Sequence, residues 1–221
     1  MTSPWRGLRV VVSAGPTYED IDPVRFIGNR SSGRMGFAIA AAAARRGARV
    51  VLVAGPVQLD TPAGATRIDV RSAAQMHAAV LGALPADVYI GAAAVSDFTP
   101  AQVADRKLKK TDDGAHLRLE LVRTPDILAA VAAHVPRPRL VIGFAAETHD
   151  LAAYARAKLA RKRVDLIAAN QVGVAGSGFE SEDNTLVVYG ADLETTLGPA
   201  PKTALADALL DLAGDRLELL Q

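Results

Sequence analysis

Short runs of β-branched and other apolar residues alternate along this chain with alanine-rich stretches of helical length, and this alternation narrows the fold most. The runs predict strands near Arg9 to Ser13, Arg49 to Ala54, Val88 to Ala93, Leu140 to Phe144, Asp165 to Ala169 and Thr185 to Tyr189. Helices are expected near Arg34 to Arg46, Ala73 to Leu84, Pro125 to His134, Leu151 to Arg161 and Thr203 to Leu212. Near-continuous apolar strands are buried on both faces, and helices between successive strands supply the crossovers that parallel pairing needs. The expected fold is therefore α/β, a Rossmann-like, mostly parallel sheet with helices on both faces. A weaker strand pair is placed around Leu117 to Leu121, after the charged stretch Asp105 to Gly114, as an excursion from that sheet. A length of 221 residues suits a single domain over 1–221.

The bulk numbers exclude several functions. Basic and acidic residues balance at 25 against 24, so no polyanion-wrapping surface and no nucleic-acid partner is expected. The longest uncharged apolar stretch, Phe37 to Ala44, is far short of the roughly 20 residues a membrane span requires, and Met1 to Arg6 shows no signal-peptide core. The expected setting is cytoplasmic, without a membrane. The absence of cysteine removes disulfides, thiolate metal sites and cysteine nucleophiles together, and His77, His116, His134 and His149 lack zinc-ligand spacing.

In open parallel sheets, ligands sit beyond the carboxyl ends of the strands, which directs attention to four loops: Ser13 to Gly36, Gly91 to Lys110, Phe144 to Thr148 and Asn170 to Asn184. In the first, Gly28-Asn29-Arg30-Ser31-Ser32-Gly33-Arg34-Met35-Gly36 leads into a helix. Glycines admit close backbone approach, hydroxyls donate, and the helix start carries a positive dipole end, so this is either an anion cradle or a long loop whose serines cap the helix. Gly28-x4-Gly33 has Walker A spacing, but Arg34-Met35 stands where Lys and Ser or Thr are required. A dinucleotide fingerprint would need an acid closing the second strand, which instead ends Val53-Ala54-Gly55-Pro56.

In the second loop, small residues precede a lone acid in Gly91-Ala92-Ala93-Ala94-Val95-Ser96-Asp97. Asp97 either reads a base or ribose, holds a cation, or is an ordinary turn aspartate. Arg106-Lys107-Leu108-Lys109-Lys110 follows, with Lys107 and Lys109 on one side of an extended segment. Lys158 and Lys162 lie four apart on one helix face, near Arg156, Arg161 and Arg163. They either share an anion or extend into solvent. Asn170, Phe179 and Asn184 are weaker signals.

Together these segments resemble the phosphopantothenate-cysteine ligase family, the ligase half of the bacterial bifunctional coenzyme A biosynthesis flavoprotein. The resemblance covers nearly the whole chain. It rests on Ser13 to Thr17, Asp22 to Gly36, Ala92 to Phe98, Lys107 to Lys110, Gly143 to Thr148 and Asp165 to Asn170. It implies that the carboxylate of 4'-phosphopantothenate attacks the α-phosphate of CTP, and that L-cysteine then displaces CMP from the acyl cytidylate. Catalytic roles fall on Asn29 and Lys107. Nucleotide contacts fall on Gly91, Ala92, Ala93, Asp97, Lys107, Pro125, Asp126, Ile127, Leu128, Phe144, Lys158 and Lys162. Phosphopantothenate contacts fall on Asn29, Arg30, Ser31, Ser32 and Gly33. Mg²⁺ is expected with the nucleotide, its ligands unassigned. A homodimer formed through the excursion is implied, as is a flavin-dependent decarboxylase half that these residues do not include. Ser96 departs from the alanine expected there.

Overall fold

The computed structural model describes residues 3–109, 116–147, 149–171 and 183–219. Lys110, Thr148 and Phe179, singled out above, lie outside them. An eight-stranded sheet forms the middle layer, in the order β12-β11-β10-β9-β6-β1-β4-β5. Its strands are β1 (Arg9–Ala14), β4 (Arg49–Ala54), β5 (Ala65–Asp69), β6 (Val88–Gly91), β9 (Leu140–Glu147), β10 (Leu166–Gln171), β11 (Asp183–Tyr189) and β12 (Glu194–Pro201). Pairing is parallel from β10 across to β5 and antiparallel where β11 joins β10 and β12.

The helices are α1 (Arg34–Arg45), α2 (Ala73–Gly82), α3 (Ile127–Ala132), α4 (Leu151–Lys162) and α5 (Lys202–Leu219). Alternation along β1 divides the core between two layers. Val10, Val12 and Ala14 pack with Ile39 of α1 and Leu209 of α5, while Val11 packs with Met76 of α2 and Val131 of α3. Apolar burial on both faces, worth roughly 25 cal/mol per Å² of apolar surface removed from water, is what makes the sheet a central layer.

Two hairpins stand outside the sheet. β2 (Tyr18–Asp20) pairs with β3 (Phe26–Gly28) inside the long first loop, where the Tyr18 and Phe26 rings stack at 4.0 Å. β7 (Phe98–Pro100) pairs with β8 (Leu121–Arg123). The excursion is present, but its second strand begins at Leu121, and residues 116–120 are in no strand. The alternating leucines at 117, 119 and 121 carried the strand signal, yet Leu117 is 58% exposed and has no sheet face to bury against.

Besides the β2–β3 hairpin, two strands were not anticipated, and both are edges of the central sheet. β5 is largely exposed and packs on one neighbour only, so it lacks a continuous apolar run. β12 carries Pro199 and Pro201, residues that forfeit ladder hydrogen bonds and are tolerated on an edge.

Candidate active site

Strand order reverses at β1, with β4 on one side and β6 on the other, and a crevice opens there beyond the carboxyl ends. The larger of two cavities over that edge encloses about 660 Å³ and is built from the ends of β1 and β6, the loop after β6, the start of α3, Phe144 of β9 and the C-terminal half of α4. Gly91, Ala93, Asp97, Pro125, Asp126, Ile127, Leu128, Phe144, Lys158 and Lys162, all expected at a nucleotide, line it. At its base Ser13 and Tyr89 hydroxyls are hydrogen-bonded at 3.0 Å. Burial pushes the Tyr89 phenol up to about 12, so it stays protonated over any working pH.

The second cavity, about 240 Å³, lies against the start of α1. Ser31, Ser32, Gly33 and Ala92 line it, with Asn170, Asn184 and Lys202. Gly33 precedes the helix at φ 75°, a left-handed conformation that side chains with a Cβ resist. The cap residue of α1 is Gly33, which has no side chain to cap with, and Ser31 Oγ accepts from Gly33 N at a long 3.4 Å. Gly36 lets α1 lie directly on β1, since a Cβ there would meet the Ala14 methyl at 2.5 Å.

The two cavities share Ala93, Val95, Asp97, Phe144 and Lys158 as lining. Lys158 Nζ donates to the Phe144 carbonyl at 2.8 Å. Burial lowers its pKa, opposed by the charges of Glu147 and Asp97. Lys162, one turn on, forms an ion pair with Asp126, whose other oxygen accepts from Ala129 N at 3.0 Å at the start of α3. The two lysines therefore have separate anionic neighbours in the chain rather than one shared partner.

Asn29 lines neither cavity but braces their rim. Its Nδ2 donates to the Ala94 carbonyl at 2.6 Å, and its Oδ1 accepts from Ser31 N at 3.0 Å. Arg30 is exposed. Lys107 is exposed on the excursion and is not brought to either cavity within one chain. The backbone of Ser96 is held on both sides, its N–H donating to Thr17 Oγ1 at 3.0 Å and its carbonyl accepting from Thr124 Oγ1 at 2.6 Å.

Several lining residues escaped the sequence reading. Lys202 is buried at the first position of α5, but a lysine after a Pro-containing strand carries no local signal. Arg123 and Thr124 lie just before Pro125, where the Thr-Pro-Asp run reads as a helix start and hides their place on the cavity wall.

No carboxylate closes β4, which ends at buried Ala54, so nicotinamide chemistry has no ribose partner there. A doubly wound sheet with two adjoining cavities over its carboxyl edge defines a Rossmann-like ligand-binding protein. The chain belongs to the DNA/pantothenate metabolism flavoprotein C-terminal domain family, whose model matches residues 5–215. It is 49% identical over 212 residues to the Coenzyme A biosynthesis bifunctional protein CoaBC of Vibrio cholerae, a match covering 96% of this chain and 53% of that protein. The chain thus spans about half the length of the curated relatives it matches. The crystal structure of the C-terminal domain of a CoaBC protein superposes with TM-score 0.81 at 37% identity, covering 98% of each chain. A mutant of Cab2 in complex with phosphopantothenate-cysteine superposes with TM-score 0.78 at 16% identity, covering 97% of this chain and 88% of that one, a likeness of fold.

Proposed function

We propose that this chain condenses 4'-phosphopantothenate with L-cysteine, converting CTP to CMP and pyrophosphate through an acyl cytidylate. The observation that carries the reading is the wall common to both cavities, where Asp97, Phe144 and Lys158 face each. A nucleotide in the larger cavity and an acid in the smaller one meet there. Family membership and the CoaBC relatives support the substrates, as does a protein of the same fold solved with phosphopantothenate-cysteine.

A pantothenate carboxylate is already ionised at neutral pH, so its attack on phosphorus needs no base. It needs positioning and relief of the repulsion between two anions, and a fixed cation in a partly dry site supplies that relief. Lys158, which lines both cavities, would be that cation. Ser31, Ser32 and the backbone at Gly33 would receive the phosphate of phosphopantothenate, with Arg30 at the mouth. Asn29 keeps one N–H and one lone pair beyond the bonds it already makes, suiting it to hold the acyl intermediate. Lys162 and the turn Pro125, Asp126, Ile127 and Leu128 would flank the nucleotide.

Mg²⁺ fits the larger cavity as an ion carried mainly by phosphate oxygens. Among the described residues no cluster of three His, Cys, Asp or Glu exists, Asp126 is paired with Lys162, and Asp97 remains the carboxylate that could join the coordination. When bound, the ion neutralises charge on the departing pyrophosphate.

Exposed Phe98, Val103, Leu117, Leu121 and Val122 concentrate on the excursion, which supports a homodimer formed through it. Such a dimer would bring Lys107 to the nucleotide, in its own subunit or its partner's. A flavin-dependent decarboxylase half is the proposed partner; the relatives are named as bifunctional proteins, and the match covers 53% of the Vibrio cholerae one. Among the described residues no helix is long and apolar enough to cross a membrane. A cytoplasmic setting is proposed from the biosynthetic relatives.

The test is pyrophosphate release with CTP or ATP, with and without cysteine. Release that requires phosphopantothenate and prefers CTP is expected. Binding of CTP with no release in the presence of phosphopantothenate and Mg²⁺ would overturn the reading in favour of a non-catalytic nucleotide-binding domain.

A further inference from the structure

The stretch Asp22-Pro23-Val24-Arg25 touches neither cavity, yet it contains the most heavily bonded carboxylate of the described residues. The Asp22 side chain has no exposed surface. Its Oδ1 closes a local turn by accepting from Val24 N at 2.8 Å and Arg25 N at 3.0 Å. Its Oδ2 accepts from Arg25 Nε at 3.0 Å, from Arg25 Nη2, and from Leu108 N at 3.1 Å. Arg25 Nη2 in turn donates to the Leu108 carbonyl at 2.9 Å. One acid–base pair thus grips both polar groups of the Leu108 residue from 86 positions away. A further bond from Ala104 N to the Ile21 carbonyl, 3.0 Å, fastens the same segment to the same turn.

Asn, Ser or Thr would serve the local turn equally well, because that turn uses only Oδ1. The second oxygen is what requires a carboxylate, and it is committed to Arg25 and to Leu108. Leu108 sits between Lys107 and Lys109, both exposed. A long lysine on an untethered loop would forfeit ordering freedom whenever it met a phosphate, since fixing the backbone of each residue costs conformational entropy. Holding the peptide at Leu108 removes part of that cost before the substrate arrives.

We infer that Asp22 is a positioning residue for the activation step, acting through Leu108 to fix the backbone that carries Lys107. The inference rests on the ligase reading for its rate consequences and on geometry alone for its structural ones. Asp22→Asn keeps the Oδ1 acceptor but turns an N–H toward the N–H of Leu108. Leu108→Pro removes the same hydrogen bond from the other side and leaves the Asp22–Arg25 pair in place.

The full chain is assayed for phosphopantothenate-dependent pyrophosphate release without cysteine, and for hydrogen exchange over residues 107–109 without substrate. Both variants are expected to lower the release rate at least tenfold with KM for CTP within twofold of wild type. Exchange over 107–109 should accelerate in Asp22→Asn, and that of the 107 and 109 amides in Leu108→Pro, which has no N–H at 108. In a Lys107→Gln background, Asp22→Asn should cost less than a further twofold. Additive losses, a Lys107→Gln variant that keeps the wild-type rate, or full activity in both single variants overturns the positioning role. If wild type releases no pyrophosphate, the ligase reading fails by itself; the exchange measurement still decides the clasp, and unchanged exchange overturns it.

Discussion

Lys158 donates to the backbone carbonyl of Phe144 at 2.8 Å, and this bond fixes a cation on the wall that two cavities share. β9 is thereby linked to one helix face: Phe144 belongs to β9, Lys158 to α4, and Glu147 of β9, followed by Asp97 from the loop after β6, contributes the opposing charge.

Lys158→Met keeps the apolar stem and removes the charge. Loss of one preorganised electrostatic contact at a reacting phosphate lowers the rate by about 10²–10³. Pyrophosphate release in single turnover should fall by that amount, with the melting temperature unchanged or raised, because burial already disfavours this ammonium.

Gly33→Ala places a methyl on a residue at φ 75°, with Val57 Cγ1 at 3.1 Å from the new atom. Left-handed strain of about 1–2 kcal/mol follows, which in a chain of this size lowers Tm by about 2–8 °C. KM for phosphopantothenate should rise while KM for CTP stays close to wild type, since Gly33 lines only the smaller cavity. Calorimetry and initial rates check the two halves.

Asp22 titrates well below the ordinary carboxylate range, chiefly through its side-chain bond with Arg25. A carboxylate whose folded pKa is depressed binds fewer protons folded than unfolded, so its stabilisation is complete above the ordinary value and disappears as pH falls through the folded one. Wild type should therefore be more stable than Asp22→Asn at pH 7. The gap should narrow steadily as pH drops below about 4, the ordinary aspartate value. Denaturant midpoints of both proteins across pH 2.5–7, chosen to bracket roughly that value, measure it.

How far the sequence discloses this arrangement depends on where the signal is stored. Val10 to Ser13, Val88 to Ile90 and Leu140 to Ile142 are buried on both faces and announce themselves as apolar runs. β5 and β12 bury little and pair on one side, so periodicity is silent there. Ser31 to Gly33 and Asp97 were legible because they lie in loops that leave the carboxyl edge of a parallel sheet, where ligands bind. Lys202 was not, because it reaches the smaller cavity only through the packing of α5 after an edge strand. Nor does any spacing reveal that Asp22 and Leu108 meet, since contacts across 86 positions are decided by tertiary structure.

Phe98, at 46% exposure, lies on β7 beside exposed Leu121 and Val122 of β8. Phe98→Asp places a charge in the middle of the proposed dimer face. Light scattering should show a dimeric mass for wild type and a monomeric mass for the variant; the mass is the readout, because Phe98 also lines the larger cavity and its replacement would lower the release rate directly. A monomeric wild type at assay concentration contradicts the dimer.

The most direct test of the central claim follows an atom. If the pantothenate carboxylate attacks the α-phosphate of CTP at the shared wall, one of its oxygens becomes the bridge to phosphorus. When the cysteine amine displaces CMP from the acyl carbon, that oxygen leaves with CMP. With phosphopantothenate labelled with ¹⁸O in both carboxylate oxygens, mass spectrometry should find one label in CMP and one in the amide carbonyl. Unlabelled CMP, with the second label found in water, phosphate or pyrophosphate, would contradict the account.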